Sequence, residues 1–81
     1  MRVFLTDHSL RQIKKMPKEA KRKFEKQIGF LSQNLQYPSL HAKKYDEAQD
    51  IWQARVDDHY RFYFAIREDV YVILNVTKHP K

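Results

Sequence analysis

An α+β fold is predicted, with two N-terminal helices packed on one face of a small antiparallel sheet in the order β-α-α-β-β-β. Three observations predict it. Between Lys18 and Leu35 the apolar residues Ala20, Phe24, Ile28, Leu31 and Leu35 recur at steps of four, four, three and four, which is the spacing of one helical stripe. From Ile51 to Thr77 the chain is dense in β-branched and aromatic residues that alternate with polar ones, as strands do. Between these segments, "QNLQYPSLHAKKYDEAQD" has neither period.

Taken in order, residues 2–6, "RVFLT", form a short strand with Val3 and Leu5 on one face. Asp7 or Ser9 then caps a helix over residues 8–15, with Leu10 and Ile13 facing inward. Pro17 ends that helix and suits the first turn of the next. The second helix runs from Lys18 to about Leu35, with Lys21, Arg22, Lys23 and Lys26 largely off its apolar stripe. Gly29 lies inside it at a cost of about 1 kcal/mol relative to Ala, for which close packing is the one account available. Pro38 closes the helix, and a connection of about a dozen residues carries Lys43, Lys44 and Tyr45; loops of that length are functional or mobile.

Three strands follow, at 51–56, 60–66 and 70–77, joined by three-residue turns "DDH" and "RED". Val56 then opposes Tyr60 and Ile66 opposes Val70. This register puts Trp52, Ala54, Val56, Phe62, Phe64, Ile66, Val70, Val72, Leu74 and Val76 on the core face, and a slip of one residue scatters them over both faces.

A chain of 81 residues is expected to be a single domain, 1–81, with a narrow margin of stability. It has no cysteine, which excludes disulfide staples and thiolate metal sites and fits a reducing compartment. The start, "MRVFLTDHSL", has too short an apolar run for a signal peptide, and no stretch reaches membrane-spanning length. The expected location is cytoplasmic, with no membrane partner. The net charge of +6 produces a field that attracts nucleic acid or an acidic protein. Half of the Lys and Arg residues fall in "RQIKKMPKEAKRKFEK", a basic helical face that also reads as plain solvation.

The face opposite the core carries Gln53, Arg55, Arg61, Tyr63, Tyr71, Asn75 and Thr77, with Arg55 expected to face Arg61 and Arg61 to face Asn75. Two adjacent guanidiniums repel unless an anion joins them, so an anion site is predicted. Arg binds phosphate through a forked pair of donors. Tyr63 and Tyr71 are of a type that stacks on unpaired bases, while Trp52 fits the core better. His79 follows the last strand with the parity of Thr77, and an imidazole passes protons near neutral pH. Cations beside a proton-transfer group suit metal-free RNA cleavage through the 2′-hydroxyl. The four histidines are scattered, no acidic triad or Gly-rich phosphate loop occurs, and no metal or cofactor is expected. From the residues alone, such a basic face is more often a docking surface for nucleic acid or protein than a catalytic one, His79 a solvated terminal residue, and Lys43 and Lys44 a solvated loop.

The order of elements, together with "AKKYDEAQDIWQARVDDHYRFYFAIREDVYVILNVTKH", resembles the RelE/ParE toxin superfamily. The stretches "AKKYDEA", "WQARV", "YRFYF" and "VILNVTKH" carry the resemblance, which covers nearly the whole chain. It implies a small cytoplasmic toxin of a type II toxin–antitoxin pair. Toxins of the RelE-like branch enter the ribosomal A site and act as mRNA interferases, endoribonucleases that stop translation without a metal. Those of the ParE-like branch poison DNA gyrase, and a member that has lost toxicity serves only as a binding module.

Carried over by residue, Arg61 matches the arginine that binds the scissile phosphate, and Arg55 has a similar role. His79 falls where a catalytic Arg or His stands. Lys43 and Lys44 match loop cations that contact RNA; Gln53, Tyr63, Asn75 and Lys78 complete the expected RNA-binding set. The implied partners are a cognate acidic antitoxin on the basic helices, the ribosome with its mRNA, and operator DNA reached through the antitoxin. Three departures stand out. No tyrosine follows His79, the usual loop glycine is replaced within "YDEAQ", and Gln53 stands where many relatives have Lys or Arg.

Overall fold

In the computed structural model, which describes residues 1–78, the chain runs β1 (Arg2–Leu5), α1 (Asp7–Lys14), α2 (Lys18–Gln33), a 3-10 turn (Pro38–Leu40), β2 (Lys43–Asp46), β3 (Ile51–Arg55), β4 (Tyr60–Arg67) and β5 (Val70–Lys78). The two-helix, α+β arrangement is as predicted. The sheet itself differs, because it has five strands in the order β1-β5-β4-β3-β2 and is mixed. β1 lies parallel to β5, pairing Arg2 with Val70 through Leu5 with Ile73. Two intervening helices return the chain to the same end of the sheet, so a parallel pairing is the one open to β1. β2 arises inside the expected loop: Lys43 pairs with Gln53 and Lys44 with Trp52. Four residues without an apolar face hold no strand by themselves; the edge of β3 supplies the partner.

Thr6, rather than Asp7 or Ser9, caps α1. Its Oγ1 accepts from the Ser9 amide at 3.2 Å and donates to the Ile73 carbonyl at 2.8 Å. That cap sets the helical phase, so Ser9, Ile13 and Met16 face inward at helical spacing while Leu10 stays 40% exposed. Gln12 completes β5 where β1 has ended. Its Oε1 accepts from the Val76 amide at 2.7 Å and its Nε2 donates to Asn75 Oδ1 at 2.6 Å.

α2 covers the sheet through Ala20, Phe24, Gln27 and Leu31, ending at Asn34 before Pro38 is reached. Phe24 meets Phe62 edge-on at 5.5 Å between centroids, and Phe64 packs on Tyr71 in the same manner at 5.6 Å. A Cβ on Gly29 would have nothing within 4 Å, so close packing does not account for that glycine.

The first hairpin has the expected register, with Arg55 opposite Arg61 and Ala54 opposite Phe62. The second does not. Its turn is the two residues Glu68 and Asp69, Glu68 taking φ 56°. A bulge at Leu74 then shifts the pairing between Tyr63–Asn75 and Phe64–Ile73. Tyr71 and Ile73 therefore enter the core, whereas Val70, Val72 and Leu74, expected inside, are half-buried. Arg61 consequently faces Thr77, and Asn75 faces Tyr63. No helix among the described residues is long and apolar enough to cross a membrane.

Candidate nucleic-acid interface

Alternation along β2, β3 and β4 brings Lys43, Gln53, Arg55 and Arg61 to the sheet face away from the helices. With His41 and Ala42 they line a pocket of about 410 Å³. Arg61 is aimed by the β3–β4 turn, its Nη1 donating to the carbonyls of Asp57 at 2.6 Å and Tyr60 at 3.0 Å. A guanidinium has five N–H donors, so two such bonds leave donors for a ligand. Arg61 has no carboxylate partner among the described residues.

Arg55 differs from the expectation. Its Nη2 is ion-paired with Asp58, a residue of the same turn, so the crowded guanidiniums do not wait entirely on an outside anion. Asp58 supplies part of that charge because the turn returns its carboxylate to the end of β3. The carboxylate side chain is 78% exposed, and pairs this exposed contribute about 1 kcal/mol or less. A phosphate held by two arginines and Lys43 can displace it.

Beside this pocket lies a second, of about 470 Å³, lined by Tyr45, Ile51, Tyr63, Leu74, Asn75, Thr77 and Lys78. Tyr45 is 61% exposed and meets Tyr63 edge-on at 4.9 Å. Gln53 Nε2 donates to Tyr63 Oη at 3.0 Å and so ties the aromatic pocket to the cationic one. Cationic donors thus adjoin an exposed aromatic surface.

Lys44 is not brought to this face. Alternation in β2 turns it the other way, where it pairs with Asp50 and lies 5.1 Å from the Trp52 ring centroid. The hydrogen bond to Asp50 raises the Lys44 pKa, and the same bond lowers that of Asp50. Tyr71, expected on this face, is buried, and burial raises its pKa. His79 lies outside the described residues. No group of three or more His, Asp or Glu side chains among the described residues is placed to hold a metal ion.

Gln27 escapes the sequence reading, and Tyr45 and His41 are not singled out by it within the loop at 40–48 that is expected to join the RNA site. Tyr45 and His41 sit in what read as a loop; reading "KKYD" with a two-residue period places Tyr45 beside Lys43. Gln27 is buried within the stripe, at helical spacing from Phe24 and Leu31. Its Nε2 donates to the carbonyls of Arg55 at 2.7 Å and Ser39 at 2.9 Å, and its Oε1 accepts from Ser39 Oγ at 2.9 Å. It thereby fixes the end of β3 from which Arg55 projects.

The two-helix layer on a five-stranded mixed sheet is similar in fold to solved RelE and YoeB/ParE toxin structures. The archaeal RelE of the RelE–RelB complex from Pyrococcus horikoshii OT3 superposes with a TM-score of 0.80 at 21% identity, over 95% of this chain and 92% of its own. A YoeB/ParE toxin from Agrobacterium tumefaciens gives 0.81 at 12% identity, over 99% of this chain and all of its own. The isolated E. coli RelE toxin gives 0.78 at 12% identity, over 99% of this chain and 85% of its own. No protein-family model and no curated protein matches the sequence.

Proposed function

We propose that this protein is the toxin of a type II toxin–antitoxin pair and acts as a ribosome-dependent mRNA endoribonuclease. The observation that carries the reading is the joint placement of Lys43, Arg55 and Arg61 around one pocket, next to the Tyr45–Tyr63 surface, on a RelE-like sheet. In this reading Arg61 and Arg55 grip the scissile phosphate, with Asp58 displaced, while a flanking base stacks against Tyr45 or Tyr63. Attack by the 2′-oxygen forms a new bond to phosphorus and breaks the bond to the 5′-oxygen. The products are a 2′,3′-cyclic phosphate and a 5′-hydroxyl. The arginines stabilise the charge that develops on the phosphoryl oxygens.

A proton must leave the 2′-hydroxyl and another must reach the 5′-oxygen. His79 by resemblance, and His41 by its place in the pocket, are the imidazoles suited to carry them. Asn75 and Lys78 line the aromatic pocket and complete the RNA surface, and Lys44 acts by holding Trp52 and the β2–β3 turn. The partner is an acidic antitoxin that neutralises a surface of net charge +6, as the RelB of the Pyrococcus complex is bound to its RelE. Operator DNA is reached through that antitoxin, and the site of action is the cytoplasm.

Induced expression of wild type beside Arg61→Ala, with messenger integrity followed over time, tests this. The wild type cuts mRNA only where ribosomes are present. Arg61→Ala, which removes two side-chain bonds to the backbone of Asp57 and Tyr60 and no core contact, stays folded and loses at least tenfold in cleavage, about 1.4 kcal/mol of transition-state stabilisation. Cleavage that survives the substitution overturns the assignment. Blocked gyrase supercoiling with intact mRNA replaces it with the ParE-like activity.

A further inference from the structure

Between α2 and the β3–β4 turn lies another cleft, of about 550 Å³, to which Lys23, Lys26, Phe30, Tyr37, His41 and Arg55 all contribute. His41 and Arg55 also line the sheet-face pocket, so the two cavities meet across these side chains. His41 holds a left-handed backbone, φ 47°, at the end of the 3-10 turn. We infer that this cleft is a second phosphate-and-base subsite for the same RNA strand, which passes from the sheet face over Arg55 and His41 onto α2. The inference rests on the ribonuclease reading and adds to it a path for the strand.

Charge and shape both favour a nucleic-acid strand here. Lys23 and Lys26 are exposed and have no carboxylate partner among the described residues. Of the two acidic groups at the rim, one is engaged by the turn and the other pairs with Arg55 until a phosphate displaces it. Asp57 Oδ1 accepts from the amides of His59 and Tyr60, each at 2.8 Å, and Asp58 is held by Arg55. The cleft also has a flat aromatic wall. Phe30 and Tyr37 stack at 3.9 Å with their planes 7° apart, and Lys26 Nζ lies 6.0 Å from the Phe30 centroid. Tyr37 remains 37% exposed, which leaves ring surface for a third π-face. Sequence-tolerant single-strand binding uses this combination of phosphate cations with a stacking plane. An acidic peptide would use the lysines but has no need of the stacked pair.

The test is binding of fluorescently labelled oligouridylate to the purified protein at several salt concentrations, with a 5′-phosphorylated uridine dinucleotide and a strand long enough to span both pockets. Each phosphate contact on a single strand contributes about 0.7 to the slope of log affinity against log salt. The double variant Lys23→Gln/Lys26→Gln is therefore expected to lower the slope for the long strand by about 1.4 and to leave the dinucleotide unchanged. Lys14→Gln/Lys15→Gln, an equal charge loss on exposed residues at the C-terminal end of α1, outside the cleft lining, is expected to change the slope much less. Equal effects from the two double variants overturn the inference, because the net field alone then explains both. An unchanged slope in Lys23→Gln/Lys26→Gln, with Arg61→Ala still weakening the dinucleotide, overturns it while the ribonuclease reading stands. A polyglutamate peptide that loses affinity for the double variant while RNA binding is unchanged overturns it in favour of an acidic-peptide groove. If Arg61→Ala binds the dinucleotide as wild type does, the sheet-face reading fails, and the inference with it.

Discussion

The hairpins β3–β4 and β4–β5 share a strand, yet one follows the alternation of its sequence and the other departs from it. In β3, Gln53 and Arg55 alternate with Trp52 and Ala54, so only one register buries the apolar set. In β5, Val70, Tyr71, Val72, Ile73 and Leu74 are apolar on both faces, and a shift by one residue exposes no polar group to the core. Register there is decided by the short Glu68–Asp69 turn, the Leu74 bulge and the docking of Gln12 on Val76. A strand specifies its own register to the extent that its two faces differ chemically. The consequence reaches the site, because the bulge places Asn75 rather than Leu74 opposite Tyr63.

Two substitutions and one deletion break or sharpen this contrast. The largest effect is expected from Phe62→Ala, in the strand common to both hairpins. Phe62 is fully buried against Phe24 and Phe64, and its truncation should cost about 3–5 kcal/mol. A chemical denaturation curve measures that loss, and in so small a protein it removes much of the folded population.

Next comes Gln27→Leu, which keeps the helix but removes the polar bridge to β3 and the 3-10 turn. Leaving the carbonyls of Arg55 and Ser39 without that donor should cost about 1–3 kcal/mol. Cleavage should fall further than stability explains, since the end of β3 that carries Arg55 is freed; kinetics at a temperature where the variant is folded separate the two.

The smallest effect belongs to deletion of Leu74. Removing the bulged residue restores a regular β4–β5 ladder without turning any neighbour to the other face. The chain should fold with Tyr63 still opposite Asn75, losing about 1 kcal/mol for one half-buried leucine. Amide exchange and cross-strand NOEs along β5 would report the register. Inversion of Tyr71 and Ile73 to solvent would show that the bulge, rather than the β1 and Gln12 contacts, sets the faces.

The candidate site was legible in proportion to how local its determinants are. Arg55 opposite Arg61 follows from a short turn and a two-faced strand. Lys43 and Lys44 were equally visible as cations, but which faces the site depends on β2, a strand that exists because β3 offers it an edge. Asp58 lies within the turn itself, yet its pairing with Arg55 depends on the backbone path through residues 56–60. Gln27 reads as a flaw in an apolar stripe until the Ser39 and Arg55 carbonyls arrive from distant segments.

Composition and hydrophobic period alone determined that this chain forms two helices on a sheet with a basic outer face, because burying apolar stripes admits few arrangements. The parallel seat of β1, the added strand at 43–46, the bulge in β5 and the meeting of the cationic pockets at His41 and Arg55 were decided by tertiary structure. Each depends on backbone groups far apart in the chain satisfying one another, and side-chain pattern carries no record of that.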